Sequence, residues 1–301
     1  MEFSAQEMRF PMHYPGGDPV SEASRKDSAA PEKIRTVLGE LSFPPPPAER
    51  PYLYGCMVLS FDGKMGFPDD PEGTLISKEN RFDPVGAKTD FWIMQVCRAY
   101  ADGVILGAGT LRARMRKMWC SEIADPDLIQ ARPALGRKGE APLALIPSVD
   151  GLDVPVEHAI FTRSEQPVIL TSAQGAERLQ SRLNRPSRVL SGPTNLREGL
   201  EEVQIIAEGA QRPDTAGLLR FLRACGLEYI SVEAPGYLWH LIGNGLLDEY
   251  MLNYSGVMAG GMTALGVNAG FTAGQHPHAE ILSVGYHRGF LYTRQKLHYG
   301  W

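Results

Sequence analysis

The sequence is poor in features that mark a special environment or a common catalytic motif. Its four cysteines stand at 56, 97, 120 and 225, and none belongs to a Cys-x-x-Cys pair, so we predict neither a metal site nor a redox dithiol. No apolar run reaches the roughly 20 residues that cross a membrane. The first residues lack the basic and apolar regions of a signal peptide, and no Gly-x-Ser-x-Gly elbow supports a hydrolase. These absences lead us to expect a cytoplasmic protein without structural disulfides.

The sequence also has slightly fewer basic residues than acidic ones. There are 30 Lys and Arg residues against 35 Asp and Glu residues, a formal net charge of −5. A general nucleic-acid binder would usually carry a basic footprint. We therefore expect a small-molecule substrate rather than nucleic acid or a membrane. With 301 residues, of which 43% are hydrophobic, the chain is long enough to bury a full core.

The first 49 residues differ from the rest of the chain. They are mostly polar, a short helix is predicted over 32–41, and prolines fill 44–47. Consecutive prolines favour an extended, stiff spacer. We predict an irregular N-terminal arm over 1–49, either mobile or lying along the surface. Residues 50–301 show no internal repeat and no further boundary, so we predict one domain there.

Strand and helix patterns alternate through this domain. Strands are predicted at 52–61, 103–106, 143–146, 167–170, 187–190, 203–207, 229–232 and 250–254, and a hairpin at 281–286 and 289–293. Helices are predicted after a cap at Thr89 or Asp90, at 176–183, after a cap at Asp214, and at 236–242. The alternation predicts an α/β sandwich with a mostly parallel sheet and an antiparallel C-terminal edge.

A glycine-rich turn follows the strand predicted at 103–106. Gly107, Gly109 and Thr110 open a helix there. Backbone N–H groups at such a turn, together with the helix dipole, can hold a phosphate. The dinucleotide fingerprint would need a third glycine where Arg112 stands, so a plain strand-to-helix turn is equally compatible. The basic residues of 112–117 are either a solvated helix face or a source of phosphate contacts, for which Arg112 is the candidate.

Two acidic residues stand at the ends of predicted strands. Asp62 follows the first strand, in a segment that by itself is compatible with a type I turn. Glu233 ends the strand at 229–232. An acidic residue at the carboxyl end of a parallel strand points into the crevice where α/β proteins bind ligands, although a helix-capping role is compatible with the same position.

Taken in order, several segments resemble one known family. They are Met57 to Lys64, Thr74 to Ser77, Arg98 to Thr110, Pro167 to Ser172, Ile205 to Gly209, Val232 to Leu238, and Gly245 to Leu252 with Gly260 and Gly261. Together they are similar to the C-terminal reductase domain of the bacterial riboflavin-biosynthesis deaminase-reductases. The resemblance covers roughly residues 50–295.

This resemblance implies a fold and an assembly. The fold is the dihydrofolate reductase-like three-layer sandwich, with a mixed sheet of about eight strands and helices on both faces. The expected assembly is a homodimer.

The resemblance also implies NADPH as the cofactor. The residues that match family positions along its phosphates are Gly107, Gly109, Thr110, Pro235, Gly236, Tyr237 and Leu238. Thr171 and Ser172 match positions toward its adenosine half, Leu59 and Ser60 match further cofactor contacts, and Arg112 is the candidate for the 2′-phosphate.

The family reaction reduces a phosphoribosylamino-pyrimidine to the ribitylamino product. NADPH gives a hydride to the ribose C1, by way of an opened, imine-like form. Glu233 and Asp62 match the catalytic positions, where Glu233 would hold substrate hydroxyls or shuttle a proton.

The sequence departs from the family on the substrate side. Cys56 stands where many members carry Lys or Asn, and Arg112 with its basic neighbours replaces a frequent Asp-Asp-Pro. Ala234-Pro235 stands in place of a Gly-Gly pair. Because an X–Pro cis bond costs under about 1 kcal/mol, we hypothesise a cis peptide there.

Two alternatives stay open. One is a relative that binds a nucleotide without catalysis, and another is a reductase of a different heterocycle such as a pterin. A zinc deaminase is disfavoured, because His278-Ala279-Glu280 has no Pro-Cys-x-x-Cys after it.

Overall fold

The computed structural model describes residues 2–10, 12–15, 31–70, 72–113, 120–161, 167–198, 201–267 and 269–300. The strands in these ranges are β1 (Met12–Pro15), β2 (Tyr52–Ser60), β3 (Gly103–Ile105), β4 (Leu143–Pro147), β5 (Pro167–Thr171), β6 (Ser187–Val189), β7 (Val203–Ala207), β8 (Tyr229–Val232), β9 (Glu249–Ser255), β10 (His278–His287) and β11 (Phe290–His298). The helices are α1 (Ala5–Met8), α2 (Glu32–Leu38), α3 (Leu75–Lys78), α4 (Pro84–Tyr100), α5 (Ala108–Ala113), α6 (Pro126–Ala131), α7 (Ala173–Arg182), α8 (Thr215–Ala224) and α9 (Pro235–Gly243). None of the described helices is long and apolar enough to cross a bilayer.

All these strands form one mixed sheet. Its order is β1-β10-β11-β9-β2-β8-β3-β4-β5-β7-β6. The strands from β9 to β6 run parallel to their neighbours, whereas β11, β10 and β1 are antiparallel at one edge. The predicted α/β sandwich with a mostly parallel sheet and an antiparallel C-terminal edge is confirmed.

The two faces of the sheet carry different helices. In β2, Tyr52, Tyr54 and Cys56 pack with α4, and this side is called the α4 face. The alternate residues Leu53 and Leu59 pack with α8 and α9, and that side is called the α9 face. Because successive side chains of a strand point to opposite faces, the alternation buries both sides of this central strand.

Helix α4 begins earlier than the sequence predicted. Its cap is Asp83, whose carboxylate accepts a hydrogen bond from the Gly86 N–H at 2.9 Å, and Pro84 takes the first helical position. The predicted start at Thr89 or Asp90 is therefore wrong, and Asp90 lies inside the helix. The Asp-Pro pair was the better signal, because proline lacks the N–H that the first turn leaves unpaired.

The described part of the N-terminal segment packs into the molecule. Met8 and Ile34 are fully buried in the same cluster as Trp92 of α4, and β1 adds a strand beside β10. Phe43 stacks on Tyr54 with ring centroids 4.3 Å apart. The sequence left open a mobile arm or one lying along the surface, and in the described ranges scattered apolar residues of the arm complete the α4-side core. The arm boundary at 49 stays a prediction.

Candidate active site

The candidate site is the crevice at the carboxyl ends of β3 and β8. These strands are neighbours, with Ile105 beside Val232. After β3 the chain enters α5, whose Leu111 packs with Val104 and Leu106 on the side of the α4 face. After β8 it enters α9, whose Leu238 packs on the opposite face. Since connections leave adjacent strands in opposite directions here, this is a topological switch point, where α/β proteins bind ligands.

Two helix beginnings meet at this crevice. A Cβ on Gly107 would lie 3.3 Å from the Cβ of Ala234, so the turns before α5 and α9 are in contact. Ala234 has no side-chain oxygen to cap α9. The first N–H groups of a helix have no partner inside it. A Cβ on Gly236 would meet nothing within 4 Å. This open space beside uncapped N–H groups fits the phosphates of a nicotinamide dinucleotide.

The peptide bond before Pro235 is trans, as are all peptide bonds in the described ranges. The hypothesis of a cis Ala234-Pro235 bond is therefore wrong. Pro235 instead occupies the first position of α9. Proline is well suited to that position because its fixed φ already matches a helix.

Glu233 follows β8, with its N–H donating to the Ile105 carbonyl of β3, and its carboxylate is held by an arginine. Arg98 of α4 is fully buried, and the Glu233 side chain is 8% exposed. The Arg98 Nε and Nη2 donate to the two carboxylate oxygens at 2.8 and 2.6 Å, and Nη1 donates to the Glu122 carbonyl at 2.8 Å. Burial opposes the guanidinium charge, yet the Glu233 carboxylate outweighs it and raises the pKa of Arg98. The pair fixes the carboxylate in one orientation.

Cys56 lies beside this pair. It follows Gly55, which pairs with Val232, so it stands level with Glu233 on the neighbouring strand. Its side chain is buried on the α4 face. A hydrogen bond with Cys97, together with burial, raises the pKa of the Cys56 thiol well above its ordinary value. A neutral thiol thus occupies the position where the family often has a Lys or Asn.

The Asp62 carboxylate joins the loop after β2 to the loop after β9, and this set of hydrogen bonds is called the Asp62 clasp. Its carboxylate accepts hydrogen bonds from the Ser60 hydroxyl at 2.6 Å and from the N–H groups of Ala259 and Gly260 at 3.0 and 2.7 Å. The Ser60 bond first, and then the backbone bonds, lower the pKa of Asp62 to about 2. These contacts suit a residue that positions the loop after β9, and its catalytic role stays a prediction.

Arg112 lies at the exposed edge of the site, on α5. Its guanidinium donates to the backbone carbonyl of Asp153. The Arg112 guanidinium is exposed, and its contact with a 2′-phosphate stays a prediction. The basic residues of 114–117 lie outside the described residues. Gly109 and Thr110 are in the first turn of α5, beside Gly107.

Thr171 and Ser172 end β5, two strands away from β3. The Ser172 hydroxyl accepts from the Gly175 N–H at 3.1 Å and so caps α7. Thr171 is fully buried, and a Cβ on Gly175 would lie 2.1 Å from its hydroxyl oxygen. Ser172 therefore serves the start of α7, whereas the buried Thr171 hydroxyl has no hydrogen-bond partner among the described residues. Their contact with an adenosine group stays a prediction.

The remaining predicted contacts, Leu59, Tyr237 and Leu238, lie on the α9 side of the sheet, and their contact with a cofactor stays a prediction. Leu59 is buried on the α9 face, and Leu238 of α9 packs directly over Gly55 of β2. A Cβ on Gly55 would lie 2.4 Å from the Leu238 Cδ1 and 3.0 Å from the Tyr250 Cδ2, so a larger residue here would force these buried side chains to shift. Burial raises the pKa of the Tyr237 hydroxyl to about 12.

Two polar residues of α4 were not singled out from the sequence. Arg98 was part of the resembling segment without a role, and Asp90 was read as a cap. Both are buried in the structure. The available signal was their position, since Asp90 is three residues before Ile93 and seven before Cys97, on the apolar stripe of the helix. A carboxylate on such a stripe needs an explanation.

Comparison with known proteins places the chain in a family. The model of the RibD C-terminal domain matches residues 51–284. The RibD of Acinetobacter baumannii has a similar structure, with a TM-score of 0.57 and 17% identity over 83% of this chain and 59% of that one. A deaminase and 5-amino-6-(5-phosphoribosylamino)uracil reductase from Thermotoga maritima gives a TM-score of 0.54 and 14% identity over 82% of this chain and 56% of that one. This chain thus spans under two thirds of either protein.

A shorter relative matches over almost its whole length. It is a pyrimidine reductase-like protein of Corynebacterium diphtheriae, with a TM-score of 0.56 and 18% identity over 88% of this chain and 98% of that one. No curated protein matches the sequence. At these identities the structures show the shared fold, and the domain model shows the family. The chain belongs to the RibD C-terminal domain family, a family of reductases that depend on a nicotinamide cofactor.

Proposed function

We propose that this protein is an NADPH-dependent reductase of the riboflavin pathway. Its substrate would be 5-amino-6-(5-phosphoribosylamino)uracil or a close pyrimidine ribosylamine phosphate. The observation that carries the proposal is the crevice at β3 and β8, where the buried Glu233–Arg98 pair stands beside two helix beginnings that meet at Gly107 and Ala234. The family match supports the reductase class.

The residues present fit the cofactor. The N–H groups at the start of α9 and the turn at Gly107 would hold its phosphates, and Arg112 would meet a 2′-phosphate. When bound, NADPH supplies the hydride. Glu233, oriented by Arg98, would accept hydrogen bonds from ribose hydroxyls through its remaining lone pairs. These contacts would hold the ribose C1 toward the nicotinamide side of the crevice.

Turnover tests the proposal directly. Purified protein is mixed with NADPH and the ribosylaminouracil phosphate, and the loss of NADPH absorbance is followed together with formation of the ribitylamino product. We expect stoichiometric conversion. The expected homodimer is a further proposal, which light scattering on the purified protein tests.

A nucleotide-binding protein without catalysis is the second candidate. It is favoured by the closed geometry of the Glu233–Arg98 pair, in which both carboxylate oxygens already have a donor. This candidate predicts that NADPH binds and that neither the ribosylaminouracil phosphate nor a pterin is reduced. The same turnover assay therefore separates the two functions.

A further inference from the structure

Helix α4 carries one buried carboxylate, Asp90, that meets no basic side chain among the residues the structure describes. Asp90 is 9% exposed and lies inside the helix. Its carboxylate accepts a hydrogen bond from the side-chain amide of Asn253, with Nδ2 and Oδ1 2.7 Å apart. Asn253 belongs to β9, beside Val58 of β2. The other polar neighbour is the hydroxyl of Ser77, so the partners of Asp90 are neutral.

Asp90 differs in this respect from the other buried carboxylates of the described ranges. Each of those meets a basic side chain, in the pairs Glu233–Arg98, Glu249–Arg294, Asp83–His287 and Asp125–Lys33. Burying a carboxylate without a cation favours its protonated form. A buried carboxyl without a cation can hold a proton and release it, as a general acid does.

Asp90 also faces the same strip of the sheet as the Glu233–Arg98 pair. Asp90, Met94 and Arg98 follow one another at four-residue spacing, and so lie on one side of α4. Beneath them is Cys56 of β2, and the negative charges of both Asp90 and Glu233 add to the rise in pKa of its thiol. Cys56 is therefore close enough to both carboxylates to feel their charges, on the strand that pairs with β8.

The surroundings of Asp90 favour its protonated form. Burial raises the pKa of Asp90 to about 6, against the opposing effect of the Asn253 and Ser77 hydrogen bonds. Among its ionisable neighbours, Cys56 and Tyr292 have raised pKa values and stay neutral, and Asp90 itself contributes to both rises. Among the described residues, other charged or titratable groups against α4 include the ion pairs Glu233–Arg98 and Asp125–Lys33, the Asp83–His287 contact, and Arg132, whose guanidinium donates to the Arg98 and Ala99 carbonyls.

We propose that Asp90 holds the proton that the reduction consumes and delivers it to the ring oxygen of the substrate ribose. This rests on the proposed function. In the step, the bond between C1 and the ring oxygen breaks, and the oxygen takes the proton from the Asp90 carboxyl. The lone pair of the amino nitrogen forms the C1–N double bond, and the hydride then adds to C1. Asp90 is left as a carboxylate and regains a proton from solvent through its exposed edge.

The test compares Asp90→Asn with the wild type and with a matched control. Asp127→Asn is the control, because Asp127 is a carboxylate on nearby α6 whose side chain is 59% exposed. We expect Asp90→Asn to lower kcat by about 100-fold or more, the usual effect of losing a general acid. NADPH affinity and melting temperature should stay close to the wild-type values. Asp127→Asn should keep kcat.

The pH profile adds a readout that a structural role would not move. Because the protonated form is the active one, wild-type kcat should fall as pH rises above about 6. This limb should be absent in Asp90→Asn. An infrared difference spectrum between the wild type and Asp90→Asn at acidic pH should show a protonated carboxyl band that disappears as pH rises. That spectrum needs neither substrate nor cofactor.

The outcomes separate the claims. Equal kcat and the same pH limb in Asp90→Asn would overturn the role of Asp90 while leaving the reductase intact. Loss of activity with an unchanged limb would mean that Asp90 only supports the fold, and would overturn it as well. No turnover by the wild type would overturn the proposed function, and with it the delivery of the proton, whereas the infrared band would still show whether Asp90 holds one.

Discussion

Comparing Gly236→Ala with Gly243→Ala, two substitutions on α9, should show an effect on cofactor binding that is independent of an effect on stability. A Cβ on Gly236, near the start of the helix, or on Gly243, at its end, would meet nothing within 4 Å. Both substitutions to Ala are sterically free, and Gly→Ala at a compatible position stabilises by about 0.4–1 kcal/mol. We expect both variants to melt at or slightly above the wild-type temperature, by about 1–3 °C.

Only Gly236→Ala should weaken NADPH binding. The Cα–Cβ bond of a helical residue tilts toward the N-terminus, so the new methyl projects into the space that the free N–H groups face. Displacing a phosphate from one such N–H forfeits a charge-assisted hydrogen bond of about 1.5–3 kcal/mol. The dissociation constant should therefore rise about 10- to 100-fold. It is measured by fluorescence titration beside the Gly243→Ala control. Equal affinity in the two variants would refute the placement of the phosphates at α9.

Further substitutions probe the rest of the crevice. Glu233→Gln should reduce turnover while sparing NADPH affinity, and unchanged turnover would deny Glu233 a catalytic role. Arg112→Ala should weaken NADPH more than NADH in parallel titrations, and an equal effect on both would remove it from the 2′-phosphate. Gly55→Ala should lower the free energy of unfolding by about 1–3 kcal/mol, because its Cβ would lie 2.4 Å from Leu238; urea unfolding measures this, and a wild-type midpoint would contradict the contact. The pKa of Asp62, lowered to about 2, means that its clasp stabilises the fold above pH ~4 and loses that effect as pH falls toward 2. The stability gap between the wild type and Asp62→Asn should accordingly close in acid, and a gap that persists at pH 2 would contradict this.

The central architecture could be predicted from local patterns. The strands at 203–207 and 229–232 have the predicted bounds, and the remaining body strands differ from them by a few residues. These segments are short apolar runs bounded by turn residues, which is the pattern of buried parallel strands. The N-terminal segment could not be predicted in this way. Its few apolar residues, such as Met8 and Ile34, are buried in a cluster built around α4, which lies about 50 residues or more further along the chain.

The sequence predicted which residues stand at strand ends in the site, but it did not predict which side chains pair with them. Glu233 could be placed at the carboxyl end of β8 because strand order follows from the α/β pattern. Its partner Arg98 could not, since the pair joins residues 135 positions apart. The peptide bond before Pro235 is trans where Pro235 is the first residue of α9, and the local sequence did not show that the helix begins there.

The most direct test of the central claim is a fluorescence titration of the purified wild-type protein with NADPH and, separately, with NADH. A nicotinamide-dependent reductase with its phosphate contacts at Gly107, Gly236 and Arg112 predicts saturable micromolar binding of NADPH and much weaker binding of NADH. Binding of neither dinucleotide would contradict the assignment of this crevice as a cofactor site, and would leave a family member with another ligand.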